Sequence, residues 1–498
     1  MSTLVQSYLP GRTELRRSSA VLVLAALGLL GLLVAGVTIQ YNAAIAILVT
    51  IGFALALATL YDPYWGATVL VVVLTVIPVE RTYNSFLGHN IGNPLQIIMP
   101  VLLGLCLLRA LKSRELPKPI WPDLLVIGLG VAGLISLFFT GHLAWEWKKY
   151  GNKILYPMGL YYLVRLVPLD HRKLVRLIKI GLAVVALQGI VMIVQDRAGS
   201  SPIYSTHGGR ATGPFGHFWT AAAYMVMWPS LFIYMGSSAT SSWGRGLSFL
   251  GLLVNAYAIT RTDQRAATAL LLVVAGVCLL APRTRSAAIK ALIIGALAYI
   301  PWSMTAAGSD LLDRFDETDE SRVAYREAAF ATLRSSRWHP LFGVGPYQGD
   351  SAMTHIDTSQ LENRRVLMWG SRERSVAEVA EEGAALHNVY IALLLEFGTV
   401  GAMLALALAI SLLKSMLRIY TQGNHDGRID RGLIVAVLGA LVAWGGIGYV
   451  HNVYSFTAPM ALMFFWYGVV VGHPQAFVRS RPAEPVADQH VDRAERVK

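Results

Sequence analysis

Apolar runs of about 18–20 residues recur along this chain, from near residue 20 to near residue 472, each long enough to cross a bilayer as a helix. No other feature narrows the fold so much. In hydrocarbon every backbone N–H and C=O must be satisfied within the protein, and for a run of this length that means a helix. The surface argument agrees: 55% of the 498 residues are hydrophobic and only 14% charged, too few charges to clothe a soluble protein of this length. The expected fold is an all-α integral membrane protein, a polytopic bundle of about 12–14 transmembrane helices.

Hydropathy places spans near 20–38, 43–60, 64–79, 94–111, 121–140, 153–167, 174–194, 218–236, 244–260, 266–281, 286–303, 387–413, 432–449 and 452–471. No small-residue cleavage site follows the first run and further spans come soon after, so it reads as a span rather than a cleaved signal. The domains expected are an N-terminal transmembrane bundle over 1–303, a loop or cap over 304–386, C-terminal transmembrane helices over 387–472, and a disordered tail over 473–498.

Charge sets the orientation. The net charge of +12 raises the question of nucleic acid, but in a membrane protein surplus Lys and Arg belong to cytoplasmic loops and need no nucleic-acid partner. With the N-terminus inside, as Arg12, Arg16 and Arg17 indicate, alternation puts Lys112 and Arg114, His171-Arg172-Lys173, Arg283 and Arg285, and the Lys414 to Arg431 loop inside as well. The tail is then cytoplasmic. The 195–217 loop, the 261–265 turn and the 304–386 segment fall outside. That long segment carries nine Arg and no Lys against fourteen Asp and Glu, and stretches such as Ser321 to Arg337, with Val323, Ala324, Phe330 and Leu333 apolar, predict a helical cap lying on the membrane surface. The two cysteines, Cys106 and Cys278, lie in apolar runs and read as small packing residues.

Three features share the outer face. Gly208-Gly209-Arg210-Ala211-Thr212-Gly213 is a turn in which glycines allow close backbone approach and Arg210 offers a planar fork suited to phosphate; an ordinary turn with a snorkelling arginine is the plainer reading. Thr260-Arg261-Thr262-Asp263-Gln264-Arg265 puts Arg265 where a helix begins, a costly place for an arginine unless it is paired, with Asp263 a candidate partner, or faces a wet cavity. His387-Asn388 opens the span after the cap, and a histidine there either hydrogen-bonds locally or moves protons. A second pair, His451-Asn452, is read as structural. Asp310, Asp313, Asp316 and Asp319 are spaced as oxygen ligands for Mg²⁺ or Ca²⁺, though a solvated acidic run explains them more simply.

His387-Asn388 followed by Gly398-x-x-Gly401 resembles the signature of the O-antigen ligase and O-antigen polymerase superfamily. Arg210 in a glycine-rich turn, Arg265 opening a later span, and Ser321-Arg322-x-x-Tyr325 before His339-Pro340-Leu341-Phe342-Gly343-Val344-Gly345 resemble it too, in the same order over roughly 200–475. Gln264 stands where the family usually has Ser, which makes Arg261 a substitute for Arg265, and Tyr325 stands where Trp is common.

The resemblance implies a fold like that of GT-C-type glycosyltransferases in a bacterial inner membrane. It implies transfer of a glycan from undecaprenyl diphosphate to an acceptor hydroxyl, lipid A-core foremost, on the periplasmic side, inverting and with no metal or other cofactor. Arg210 and Arg265 would hold the diphosphate and His387 would take the acceptor proton, with Arg261, Asn388, Arg322, Tyr325, Gly343 and Gly345 lining the substrates. A repeat-unit polymerase of the same superfamily remains the alternative. A transporter or flippase is the reading from another class, disfavoured because the spans are nearly free of acidic groups and no internal repeat is evident.

Overall fold

A computed structural model describes residues 56–76, 85–86, 89–90, 95–138, 150–198, 211–303, 321–346, 365–368, 372–375, 388–422, 428–452 and 456–479. The spans expected at 20–38 and over most of 43–60 lie outside these residues, as does the acidic run 310–319.

The helices, in chain order, are α1 (Tyr64–Val76), α2 (Leu95–Ser113), α3 (Trp121–Leu137), α4 (Tyr156–Leu166, entered through a π turn over Gly151–Leu155), α5 (His171–Ala198), α6 (Phe218–Met225) and α7 (Pro229–Ser238). They continue with α8 (Ser242–Thr260), α9 (Arg265–Cys278), α10 (Pro282–Ser303), α11 (Ser321–Arg334), α12 (Val389–Gln422), α13 (Arg431–Val450) and α14 (Thr457–Gly472). Four helical segments are long and apolar enough to cross a membrane: His171–Ala198, Phe218–Ser238 taken across its break, Val389–Gln422 and Arg431–Val450. The protein is thus a helical membrane protein, as expected, with two small antiparallel hairpins besides: Ser85–Phe86 with His89–Asn90, and Arg365–Met368 with Arg372–Ser375. The second lies inside the segment expected to be a helical cap. Its strands carry three arginines and a glutamate and have no apolar helical stripe to bury, so a backbone ladder satisfies them instead.

The segment Phe218–Ser238 sits at the centre. Its most apolar stretch is 94% buried within the protein, against 39% for the corresponding stretch of Val389–Gln422. The single span expected over 218–236 is broken after Met225, because Pro229 has no N–H to donate and its ring opposes the carbonyl four residues back. Around this core α4 packs along α14, α9 along α13, α7 against α8, and α12 against α3. Small residues permit the approach: a Cβ on Gly446 of α13 would stand 2.4 Å from Leu270 of α9, and one on Gly251 of α8 would stand 2.4 Å from Phe232 of α7. Cys106 and Cys278 are buried and unbridged, as packing residues would be.

At one end, the basic loops converge. Asp430, 1% exposed, accepts from Tyr234 Oη (2.8 Å) and from Arg479 Nε and Nη2 (3.0 and 2.8 Å), with Arg283 Nη1 at 3.7 Å and His171 Nε2 at 3.8 Å. Nearby, Arg165 pairs with Asp123, and Lys173 with Asp62. The tail expected to be disordered from 473 is ordered over its described residues, 473–479. Pro474–Phe477 forms a 3-10 turn with Ala476 and Phe477 buried, and Val478 bridges Ile429. Phe477 and the Asp430 carboxylate give this stretch an apolar and an ionic anchor that composition does not register.

In the cap segment, α11 buries Ala328, Ala329 and Leu333, whereas Phe330, expected on its apolar side, is 39% exposed. The small side chains let α11 lie close to α12, which a phenyl ring would prevent.

Candidate functional site

The second end is assembled by a continuous run of side-chain contacts. At the C-terminal end of α5, Gln195 Oε1 accepts the N–H groups of Thr212 (3.0 Å) and Gly213 (2.9 Å), pinning the segment that follows Arg210 against α5. Gly213 has φ +54, and a Cβ there would meet Met192 at 3.0 Å, so the turn needs glycine. The next residue of α5, Asp196, holds Arg261 at the end of α8 in a two-pronged pair, with Nε–Oδ2 at 2.7 Å and Nη2–Oδ1 at 2.9 Å. That hydrogen bond keeps the Arg261 guanidinium above its ordinary pKa. The pair reaches across from the 261–265 turn to α5, where a neighbouring helix supplies a fixed carboxylate. Asp263 itself adopts φ +55, the left-handed corner that turns the chain into α9.

Gln264 precedes α9 and is 7% exposed. Its side chain does not cap α9 but reaches His451 at the end of α13, Oε1 lying 2.7 Å from Nε2. The His451 ring stacks on Trp219 of α6, centroids 5.1 Å apart, and Trp219 lies against His217, the residue that caps α6. Two residues before His451, the Tyr449 carbonyl accepts from Asn388 Nδ2 (3.0 Å), and Gly445 O accepts from Tyr390 Oη (2.9 Å).

These contacts bring together elements that the sequence holds far apart. Arg265 is the first residue of α9 and half-buried. Arg210 and His387 lie outside the described residues, but their neighbours Ala211, Thr212 and Asn388 are placed at this same end. Arg322 and Tyr325 lie one turn apart on α11, with side chains outside the described residues.

Three residues expected to touch substrate also have structural work. Asn388 caps α12, its Oδ1 accepting from Tyr390 N (2.9 Å) and Ile391 N (3.1 Å) while its amide donates to Tyr449. Gly343 and Gly345 present their backbone to α12. Helix α12 breaks at Gly398 (φ 66), freeing the Leu395 and Glu396 carbonyls to accept from Val344 N (2.9 Å) and Gly345 N (3.1 Å). A Cβ on Gly343 would stand 2.3 Å from the Glu396 backbone, and one on Gly398 would stand 2.2 Å from Leu341 O. The glycines that look like a ligand cradle in sequence are a close backbone-to-backbone seat that docks the cap on the span.

Sequence reasoning passed over Gln195, Asp196, Trp219 and Glu396. The first two close an apolar run, where polar residues look like an ordinary helix end. Glu396 left the clearer signal, as an acid within the apolar run 387–413. It is 3% exposed and its carbonyl accepts from Ser136 Oγ at 2.5 Å. The spans are therefore less free of acids than expected. Among the described residues no group of three or more His, Cys, Asp or Glu is placed to hold a metal ion. The chain matches no protein-family model and no curated protein.

Proposed function

We propose that this protein is an O-antigen ligase-like glycosyltransferase of a bacterial inner membrane. It moves a glycan from undecaprenyl diphosphate to an acceptor hydroxyl, lipid A-core foremost, at the periplasmic end of the bundle. The observation that supports this most is the convergence, at the end opposite the basic loops, of the turn that follows Arg210, the first turn of α9 with Arg265, and the residue that follows His387.

Such a place suits the chemistry. The acceptor oxygen attacks the anomeric carbon, the bond from that carbon to the diphosphate oxygen breaks, and undecaprenyl diphosphate departs carrying the bonding electrons. Charge therefore gathers on the phosphates, and fixed guanidinium groups stabilise it better than mobile water. Arg210 and Arg265 supply that clamp, with Arg261, oriented by Asp196, in the same turn as Arg265. The proton lost by the acceptor passes to His387 as general base. One displacement inverts the anomeric centre, and two arginines make a cation unnecessary for holding the phosphates.

The test is reconstitution of the purified full-length protein with undecaprenyl-diphosphate glycan and lipid A-core. Appearance of the conjugated lipid supports the reading. Glycan chains lengthening on undecaprenyl diphosphate would replace it with a polymerase, and movement of intact donor across the bilayer would replace it with a flippase.

A further inference from the structure

The last turn of α13 has a position no other described element shares. Its Gly445 and Tyr449 carbonyls hold the start of α12 through Tyr390 and Asn388. One step further, His451 holds Gln264, the residue bonded directly to Arg265. The same imidazole lies flat on Trp219, in the helix that follows the Arg210 turn.

His451 is built into this place. It is 8% exposed, adopts an extended backbone as it leaves α13 (φ −142, ψ 151), and donates its N–H to Ile447 O. An oxygen acceptor at Nε2 selects the tautomer that carries its proton there. Gln264 is committed as well, because its side chain bonds His451 instead of capping its own helix. Below that bond, Leu270 fills the gap left by Gly446, so α9 cannot slide along α13. Steric seat and hydrogen bond together fix the height and the rotation of the first turn of α9, and Arg265 is carried on that turn.

We propose that His451 is a positioning residue of the diphosphate clamp: through Gln264 it sets the direction of Arg265, and through Trp219 it ties the Arg210 segment to the same point. This rests on the transferase reading above and differs from taking His451-Asn452 as merely structural. A histidine that only stabilised the bundle would lower the amount of folded protein, while each folded molecule bound donor normally. A positioning histidine has the opposite signature.

The test uses the full chain in lipid nanodiscs, normalised to folded protein, with His451→Phe, which keeps a ring to lie on Trp219 and loses the bond to Gln264, and His451→Gln, which retains a donor. We expect His451→Phe to melt close to the parent, to raise the donor KM at least tenfold while leaving the acceptor KM within twofold, and to be restored to within about threefold of the parent by Gln. In an Arg265→Ala background, His451→Phe should then cost less than a further twofold, because its effect passes through Arg265. An unchanged donor KM in His451→Phe, or a full additional loss in the Arg265→Ala background, overturns the proposal. If His451→Phe does not fold, His451→Gln decides alone: a donor KM raised by more than threefold at normal melting defeats the rescue and with it the hydrogen-bonded role. Failure of the transferase reading is separate, since the parent would then neither transfer glycan nor bind undecaprenyl diphosphate, and the clamp would fall with it.

Discussion

At the basic end of the bundle Asp430 is enclosed by Tyr234, Arg283, His171 and Arg479, whereas at the opposite end arginines stand at helix termini, Arg261 held by Asp196, and amides and aromatic rings join the neighbouring helices. The first arrangement ties several loops to one buried carboxylate, and the acid also caps α13 by accepting from Leu433 N. Charge there stabilises the fold. At the other end Asp196 orients Arg261, and amides rather than acids fix the helix starts: Gln195 for the Arg210 turn, Gln264 for the start of α9, Asn388 for α12. A neutral amide holds backbone in place without cancelling a neighbouring guanidinium. That is the difference between an end built to be closed and one suited to receiving an anion.

The comparison breaks most completely if the two ends do not face opposite compartments. Cysteines introduced singly at Ser242, the first residue of α8, and at Ser351, in the cap segment, should label from opposite sides of the membrane with an impermeant reagent. Labelling of both from one side removes the transferase reading.

Next in size is loss of activity without loss of fold. Arg265→Ala and His387→Ala should each leave the melting temperature near the parent. Lys at 265 should rescue only in part, since it keeps charge but loses the two-pronged geometry. His387→Ala should still bind donor while its rate falls by roughly 10²–10⁴, the usual size of a lost general base, with residual activity that rises with pH. Full activity in His387→Ala would end the mechanism.

The basic end should behave in reverse. Asp430→Ala strands two arginines and removes the cap of α13. Breaking a buried ion pair costs about 3–5 kcal/mol, and the partial exposure of Arg479 puts this one near the lower figure. Less folded protein should be recovered, yet turnover per folded molecule should stay the same. A selective kinetic defect at normal stability would erase the contrast between the ends.

Smaller again is the cap seat. Gly398→Ala forces a side chain into a left-handed backbone and against the Leu341 carbonyl, a strain on the order of 1–3 kcal/mol. Faster proteolysis of the cap segment should accompany it, and an unchanged digestion rate would mean the seat is not closed in the membrane. The smallest effect expected is that of chelation. Transfer should survive EDTA, and Asp316→Asn should be nearly silent. Loss of activity restored by Mg²⁺ or Ca²⁺ would move the phosphate clamp from guanidinium groups to a metal.

Several elements were legible in the chain because their cause is local. Most of the helices described begin and end within a few residues of the hydropathy runs, although the break before Pro229 fell inside a run read as one span. Arg265 could be assigned to a helix start from its neighbours. The Arg261–Asp196 pair was not legible, since its members stand 65 residues apart. The structural work of Asn388, Gly343 and Gly345 was not legible for a related reason. A glycine that admits a ligand and one that admits another backbone carry the same signature in sequence.

The amino-acid sequence by itself determined that this is a helical membrane protein with its basic loops gathered at one end, because hydropathy and charge act residue by residue against a fixed bilayer. Only the tertiary structure decided that Gln264 meets His451, that Gly343 seats on the break at Gly398, and that Asp430 gathers residues from four distant segments. Those contacts join positions from 49 residues apart, for Asp430 and Arg479, to 259 apart, for His171 and Asp430, with Gln264 and His451 separated by 187. A contact between distant residues depends on shape and on which helices pack together, and neither is written in any local stretch of the chain.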